Sequence, residues 1–272
     1  MLKTGKLLRL RRLSLAGDGR HLLVPLDHSV SDGPIVPAGQ WDDLLRALVD
    51  GGADGIIVHK GRARAFAPDI LKNCALVVHL SASTACSADV HAKVLVADVE
   101  EALRLGADAV SVHVNIGSDT EARQLSDLGA VARSCDAWGM PLIAMVYPRG
   151  PRIEDPRDPV LLAHLANVAA DLGADMVKTS VALPVERMAE VVAGSPIPVL
   201  AAGGPPDGSD LVEYGTAVMA TGCRGLAVGR RIFSAPSPAS LVSRLSAVVH
   251  GDGGASHGMS MTNPSTFVAG VA

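Results

Sequence analysis

Eight short apolar runs divide the chain, and each ends in polar or glycine-containing residues before helical periodicity resumes. They are HLLVPLDH (21–28), GIIVHKG (55–61), ALVVHLSA (75–82), AVSVHVNIG (109–117), PLIAMVYPRG (141–150), DMVKTS (175–180), PVLAAGG (198–204) and GLAVGRRIF (225–233). Runs that are apolar throughout, rather than alternating, indicate strands covered on both faces, as in parallel sheets. Helical spacing occupies 39–50, 97–105, 119–138, 157–172, 184–193, 208–221 and 237–249, while 62–73 is shorter and less regular. Three junctions share one motif: GGADGIIV (51–58), LGADAVSV (105–112) and LGADMVK (172–178), with TGCRGLAV (221–228) a looser fourth copy. Each places a glycine at a helix end, where a left-handed cap is easy, and then enters a strand. Strands alternating with helices predict a single (β/α)8 TIM barrel, an α/β fold, over residues 1–250. An open doubly wound sheet is the competing arrangement, but no G-x-G-x-x-G follows the first run. The start, MLKTGKLLRLRRLSLAG, predicts a short amphipathic helix, and the small, polar, glycine-rich stretch 251–272 predicts a flexible tail.

Composition narrows the class. A chain of 272 residues fits one large domain. The formal net charge of −4 supplies no overall field for nucleic acid, so an anionic substrate must meet local basic groups. Cys74, Cys86, Cys135 and Cys223 contain no C-x-x-C pair, which predicts reduced thiols rather than a disulfide framework or a zinc site. Arg9, Arg11 and Arg12 interrupt any secretory apolar segment at the start. No run approaches the roughly 20 apolar residues of a membrane span. These features predict a cytoplasmic protein without nucleic-acid or membrane partners.

In such a barrel, the strand C-terminal ends and the loops after them form the active face. The residues there are Asp27 and His28, His59 and Lys60, His79, His113 and Asn115, Tyr147 and Arg149, Lys178, Gly203 and Gly204, then Gly229 and Arg230. Lys178 closes an apolar run, and an unpartnered buried ammonium is costly. Lost hydration at a barrel mouth favours the neutral amine, which can attack a carbonyl and form a Schiff base. The plain alternative is a lysine reaching bulk water along a loop. Tyr147 ends the neighbouring strand and can move protons near Lys178, while Asp27 can act as a base or organise its loop. Gly203, Gly204 and Gly229 follow the seventh and eighth strands, where barrels commonly bind phosphate, and Arg230 adds donors. His28, Lys60, His113 and Arg149 are candidates to contact substrate. The histidine spacing fits no H-E-x-x-H pattern, so hydrogen-bonding roles are favoured over a metal cluster, and no cofactor is implied. Together these residues describe a lysine-dependent aldolase pocket.

The motifs VPLDHSVSDGPI, VHKG, VVHLSAST, VSVHVNIGSD, MPLIAMVYPRG, GADMVKTS, AAGGP and LAVGRRIF resemble, in order from about residue 5 to 250, a known enzyme family. It is the class I aldolase family that includes archaeal fructose-bisphosphate aldolases. The resemblance implies that Lys178 of VKTS forms the Schiff base, Tyr147 of YPRG is the general acid/base and Asp27 of LDH assists proton transfer. It implies that Gly203, Gly204, Gly229 and Arg230 hold phosphate. It also implies a homo-oligomeric ring, often a decamer. Within the family, the similarity is to the amino-sugar-acid branch of aminohydroxybenzoate pathways. That branch implies dihydroxyacetone phosphate as donor and L-aspartate 4-semialdehyde as acceptor. Ser29 departs from the glycine of a D-H-G-V first loop and bears on substrate identity. A transaldolase-like synthase with a longer keto-sugar phosphate donor and a fructose-bisphosphate aldolase are the near alternatives. A metal-dependent aldolase and a non-catalytic phosphosugar-binding barrel are the distant ones.

Overall fold

The structure, a computed structural model, describes residues 4–204 and 209–251; the predicted tail beyond Gly251 lies outside these residues. Strands β1 (His21–Pro25), β2 (Gly55–Val58), β3 (Ala75–His79), β4 (Ala109–Ile116), β5 (Leu142–Pro148), β6 (Met176–Thr179), β7 (Val199–Ala202) and β8 (Gly225–Ala227) pair in parallel, in chain order. β8 returns to β1, so the barrel is closed. The helices are α1 (Thr4–Arg12), α2 (His28–Ser31), α3 (Trp41–Asp50), α4 (Lys60–Ala63), α5 (Val99–Arg104), α6 (Glu121–Trp138), α7 (Pro159–Asp171), α8 (Met188–Ala193), α9 (Leu211–Ala220), α10 (Arg230–Phe233) and α11 (Pro238–His250). The fold is a TIM barrel. Two local outcomes differ from the pattern reading. The irregular 62–73 segment holds only the end of α4 and a 3-10 turn at Pro68–Leu71, since proline lacks the amide a continuing helix needs. The GLAVGRRIF run stops as a strand at Ala227, and Arg230–Phe233 forms a helical turn. Among the described residues, no helix is long and apolar enough to cross a membrane.

The two-residue repeat of a strand divides each run between two cores. Leu22, Val24, Ile56, Val58, Val110 and Val112 join one cluster with the surrounding helices. Leu23, Ile57, Val77, Ile143, Met145, Met176 and Leu200 belong to a second cluster inside the barrel. Leu13, fully buried just after α1, joins that inner cluster and plugs the lower end.

The repeated G-A-D junctions explain how this lower end is held. Gly52, Gly106, Gly173 and Gly222 take φ of 90°, 80°, 95° and 91°, the left-handed region open to glycine. After each G-A-D glycine, the aspartate binds the preceding strand twice. Asp54, Asp108 and Asp175 donate their N–H to the carbonyls of Leu22, Leu76 and Leu142. Their carboxylates accept from the N–H groups of those same leucines at 2.6, 3.1 and 2.8 Å. The remaining oxygens hold the N-terminal segment. Lys6 pairs with Asp175 at 2.8 Å, Arg12 with Asp108 at 3.0 Å, and Leu15 N–H donates to Asp54 at 2.7 Å. In the fourth copy, Arg224 keeps the backbone bond to Val199 but brings no carboxylate.

His250, at the C-terminal end of α11, sits between Asp54 and Asp18 with its ring nitrogens 3.0 Å from each. Burial disfavours its charge, but bonding to the two carboxylates outweighs this and raises its pKa. The unfolded value is about 6.5. The stabilisation is therefore complete below that pH and is lost as pH rises through the higher folded-state value. We expect His250→Gln to cost about 2 kcal/mol near pH 6 and clearly less at alkaline pH, read from urea unfolding across that range.

Candidate active site

Asp27, His59, His79, His113, Tyr147 and Lys178 occupy the inward phase of their strands, one or two residues above the apolar layers. Lys178 follows Met176 in that phase and is 7% exposed. It stands opposite Met145 of β5 and Leu200 of β7 in register. Tyr147 lies two residues further along β5, opposite Asn115 of β4, and is also buried. All six side chains line a cavity of about 1210 Å³ at the strand C-terminal ends. His28, Arg149, Gly203, Gly204, Gly229 and Arg230 line the same cavity.

Asp27 is the charge centre. Its carboxylate lies 3.6 Å from His28 Nδ1 and 3.8 Å from His79 Nε2. Burial pushes this carboxyl up, but His79, Lys178, His28 and His59 together bring it down to about 2. His79 moves the other way: burial leads, with Asp27 opposing, and its pKa falls to about 4. Burial likewise lowers His28 and His59, and takes His113 well below the ordinary imidazole value. At neutral pH the site therefore presents an ionised carboxylate among neutral imidazoles.

Hydrogen bonds orient two of these rings. His79 Nδ1 lies 2.8 Å from Ser111 Oγ. Asn115 Nδ2 donates to His91 O, so its Oδ1 accepts from His113 Nε2 at 2.8 Å. Neutral His113 thus carries its proton on Nε2 and keeps the Nδ1 lone pair. Its ring packs 5.0 Å from the Tyr147 ring, and Arg149 lies over the other partner of this stack, 4.5 Å from the Tyr147 centroid.

The β7 and β8 loops form another part of the wall. Gly229 precedes α10, and its carbonyl accepts from the N–H groups of Ile232 and Phe233 at 2.8 and 3.1 Å. A Cβ at Gly229 would lie 2.4 Å from Pro25 O and 2.6 Å from His28 Cε1, so only glycine lets these two loops meet. Gly203 donates its N–H to Ala227 O at 3.3 Å and continues the strand pairing, so its role in the loop is clearance.

Lys60 is the exception among the sequence candidates. It lies one residue past inward-facing His59, at the start of α4, and its amine is bound to both Glu101 oxygens at 3.1 and 2.9 Å. It does not line the cavity. Residues not singled out from sequence do: Lys93 and Arg157 reach the wall from loops and Arg231 from α10. Their signal was available only as basic residues in segments that join the mouth of the barrel.

A parallel barrel with a lysine inside its mouth, an ionised aspartate beside it and a tyrosine on the next strand defines an aldolase-type enzyme. Residues 21–235 match the DeoC/LacD family aldolase profile, and the chain belongs to that family. It is 49% identical over 248 residues to a 2-amino-4,5-dihydroxy-6-oxo-7-(phosphonooxy)heptanoate synthase of Streptomyces griseus, covering 90% of each chain. It is 38% identical over 244 residues to 2-amino-3,7-dideoxy-D-threo-hept-6-ulosonate synthase 1 of Archaeoglobus fulgidus, covering 89% of this chain and 91% of that one. The crystal structure of an archaeal fructose 1,6-bisphosphate aldolase superposes with a TM-score of 0.81 at 26% identity, covering 91% of this chain and 100% of that one.

The Gly229 contacts give a direct test. Gly229→Ala must displace a backbone carbonyl or the His28 ring and should cost about 1–3 kcal/mol. Gly203→Ala, whose Cβ would meet the Val228 side chain at 3.0 Å, should cost less. Urea unfolding of both variants checks the order.

Proposed function

We propose that this chain joins dihydroxyacetone phosphate to L-aspartate 4-semialdehyde through a Schiff base on Lys178. The product is 2-amino-4,5-dihydroxy-6-oxo-7-(phosphooxy)heptanoate. One observation carries the reading: Lys178 is buried at the cavity floor, beside ionised Asp27, and holds no ion pair among the described residues. The 49% identity to a synthase of that name supports the substrate choice. Exposed Leu7, Leu8 and Trp138 offer apolar area for a homo-oligomer, with a cytoplasmic location and a 1–250 catalytic domain before a 251–272 tail as parts of the same reading.

The steps follow from the groups present. The Lys178 amine adds to the donor ketone, and loss of water gives the imine. The amine's proton passes to water, and Asp27, ionised at neutral pH, assists proton transfer in the dehydration step by stabilising the cationic imine. Removal of a proton from the hydroxymethyl carbon gives the enamine, whose carbon attacks the acceptor aldehyde. The new alkoxide takes a proton, with Tyr147 as the acid/base, and water then hydrolyses the product imine. Gly203, Gly204 and Gly229, which put no side chain on the wall after β7 and β8, and Arg230 beside them suit the donor phosphate.

Borohydride reduction in the presence of dihydroxyacetone phosphate should leave a mass adduct on Lys178, absent in Lys178→Ala. With aspartate semialdehyde added, a phosphorylated seven-carbon product should appear; cleavage of fructose 1,6-bisphosphate alone would overturn the substrate assignment. Tyr147→Phe should lower turnover by about 10²–10⁴-fold while the adduct still forms. Because Asp27 stays ionised down to about pH 2, Asp27→Asn should reduce activity by a similar factor at every pH from about 5 to 8, leaving no acid limb assignable to this group.

A further inference from the structure

The cavity wall opposite the β7 and β8 loops comes from segments following β3 and β5, and it is basic. Lys93, half-buried there, donates to Ser83 Oγ. Arg149 is fixed over the Tyr147 ring at 4.5 Å. Burial lowers the Lys93 pKa, and Arg149 lowers it further, while Asp27 and Asp32 act in the opposite sense. Both cations line the one cavity. Neither forms an ion pair among the described residues, unlike Lys6, Arg12 and Lys60. Two cations on one cavity wall, half-buried Lys93 and exposed Arg149, attract an anion that enters it. Asp32 lines the same cavity, and its charge acts on both Lys93 and His28.

Resting on the aldolase reading above, we infer that Lys93 and Arg149 receive the carboxylate of an α-amino-acid aldehyde acceptor and that Asp32 faces its ammonium group. A phosphate at the β7–β8 wall and a carboxylate at the β3–β5 wall then hold donor and acceptor on either side of Lys178. The two anion sites differ in chemistry. The first has glycine loops and Arg230, and the second has two side-chain cations with an acid on the same cavity wall, a charge pattern complementary to an amino-acid head group. Lys93 and Arg149 act here in selecting and placing the acceptor, and no bond to them forms or breaks.

Alcohol counterparts of the acceptor test this without turnover. L-Homoserine keeps the whole head group, 4-hydroxybutyrate lacks the ammonium and 3-amino-1-propanol lacks the carboxylate. Calorimetric titration of the full chain saturated with dihydroxyacetone phosphate should rank L-homoserine tightest and 3-amino-1-propanol weakest. Lys93→Met should weaken L-homoserine and 4-hydroxybutyrate by at least about tenfold and leave inorganic phosphate binding to the free chain unchanged. Asp32→Asn should weaken L-homoserine but not 4-hydroxybutyrate. Equal binding of all three alcohols, undetectable L-homoserine binding, or unchanged L-homoserine affinity in Lys93→Met would overturn the inference. So would parallel loss of phosphate binding in Lys93→Met, which marks a general structural defect. The borohydride adduct on Lys178 separates the two levels. Its presence with any of these outcomes removes only the acceptor site, and its absence removes the aldolase reading itself.

Discussion

Asp54, Asp108 and Asp175 each grip the first part of the preceding strand through both a carboxylate and a main-chain N–H. These bonds tie β1 to β2, β3 to β4 and β5 to β6 at the closed end of the barrel. Register matters because a slip of one residue turns every side chain of a strand to the opposite face. With the register set at the bottom, Met176 fills the interior and Lys178 emerges one layer higher at the mouth. The same logic places Asp27, His59, His79, His113 and Tyr147 around it. The carboxylates also carry the charge that docks α1, so the plug under the barrel and the chemistry above it share one set of supports.

The upper end illustrates how one charge orders a neighbourhood. An isolated buried carboxylate would be expensive. Asp27 is tolerated because Lys178 and three imidazoles surround it. The histidines stay neutral because burial outweighs the attraction of that carboxylate. Neutral rings can then be held in single tautomers by ordinary hydrogen bonds, as Asn115 holds His113.

Much of this was legible in the chain itself. Eight apolar runs and the G-A-D junctions specify the barrel because strand burial and left-handed helix caps leave local marks. Lys178, Tyr147 and Asp27 were legible because each closes an apolar run, where polarity is conspicuous. Lys60 was misleading for the same reason: it closes a run too, but after inward-facing His59 it turns away from the cavity and binds Glu101. Parity, counted from the register, would have separated it from His59. Lys93 and Arg157 were illegible because loop residues follow no period, and Arg231 because its run turns from strand to the short α10; only the folded chain brings them to the wall.

The fourth junction carries arginine where the other three carry aspartate. Arg224 retains the main-chain bond to Val199, but there is no carboxylate to take a second one or to hold α1. Of the four junctions that repeat the motif, three are held by a carboxylate as well as by backbone, and the fourth by its backbone bond. The β7–β8 pair, which carries the two glycine loops at the mouth, is therefore the one motif junction whose lower end can shift without breaking a charged bond.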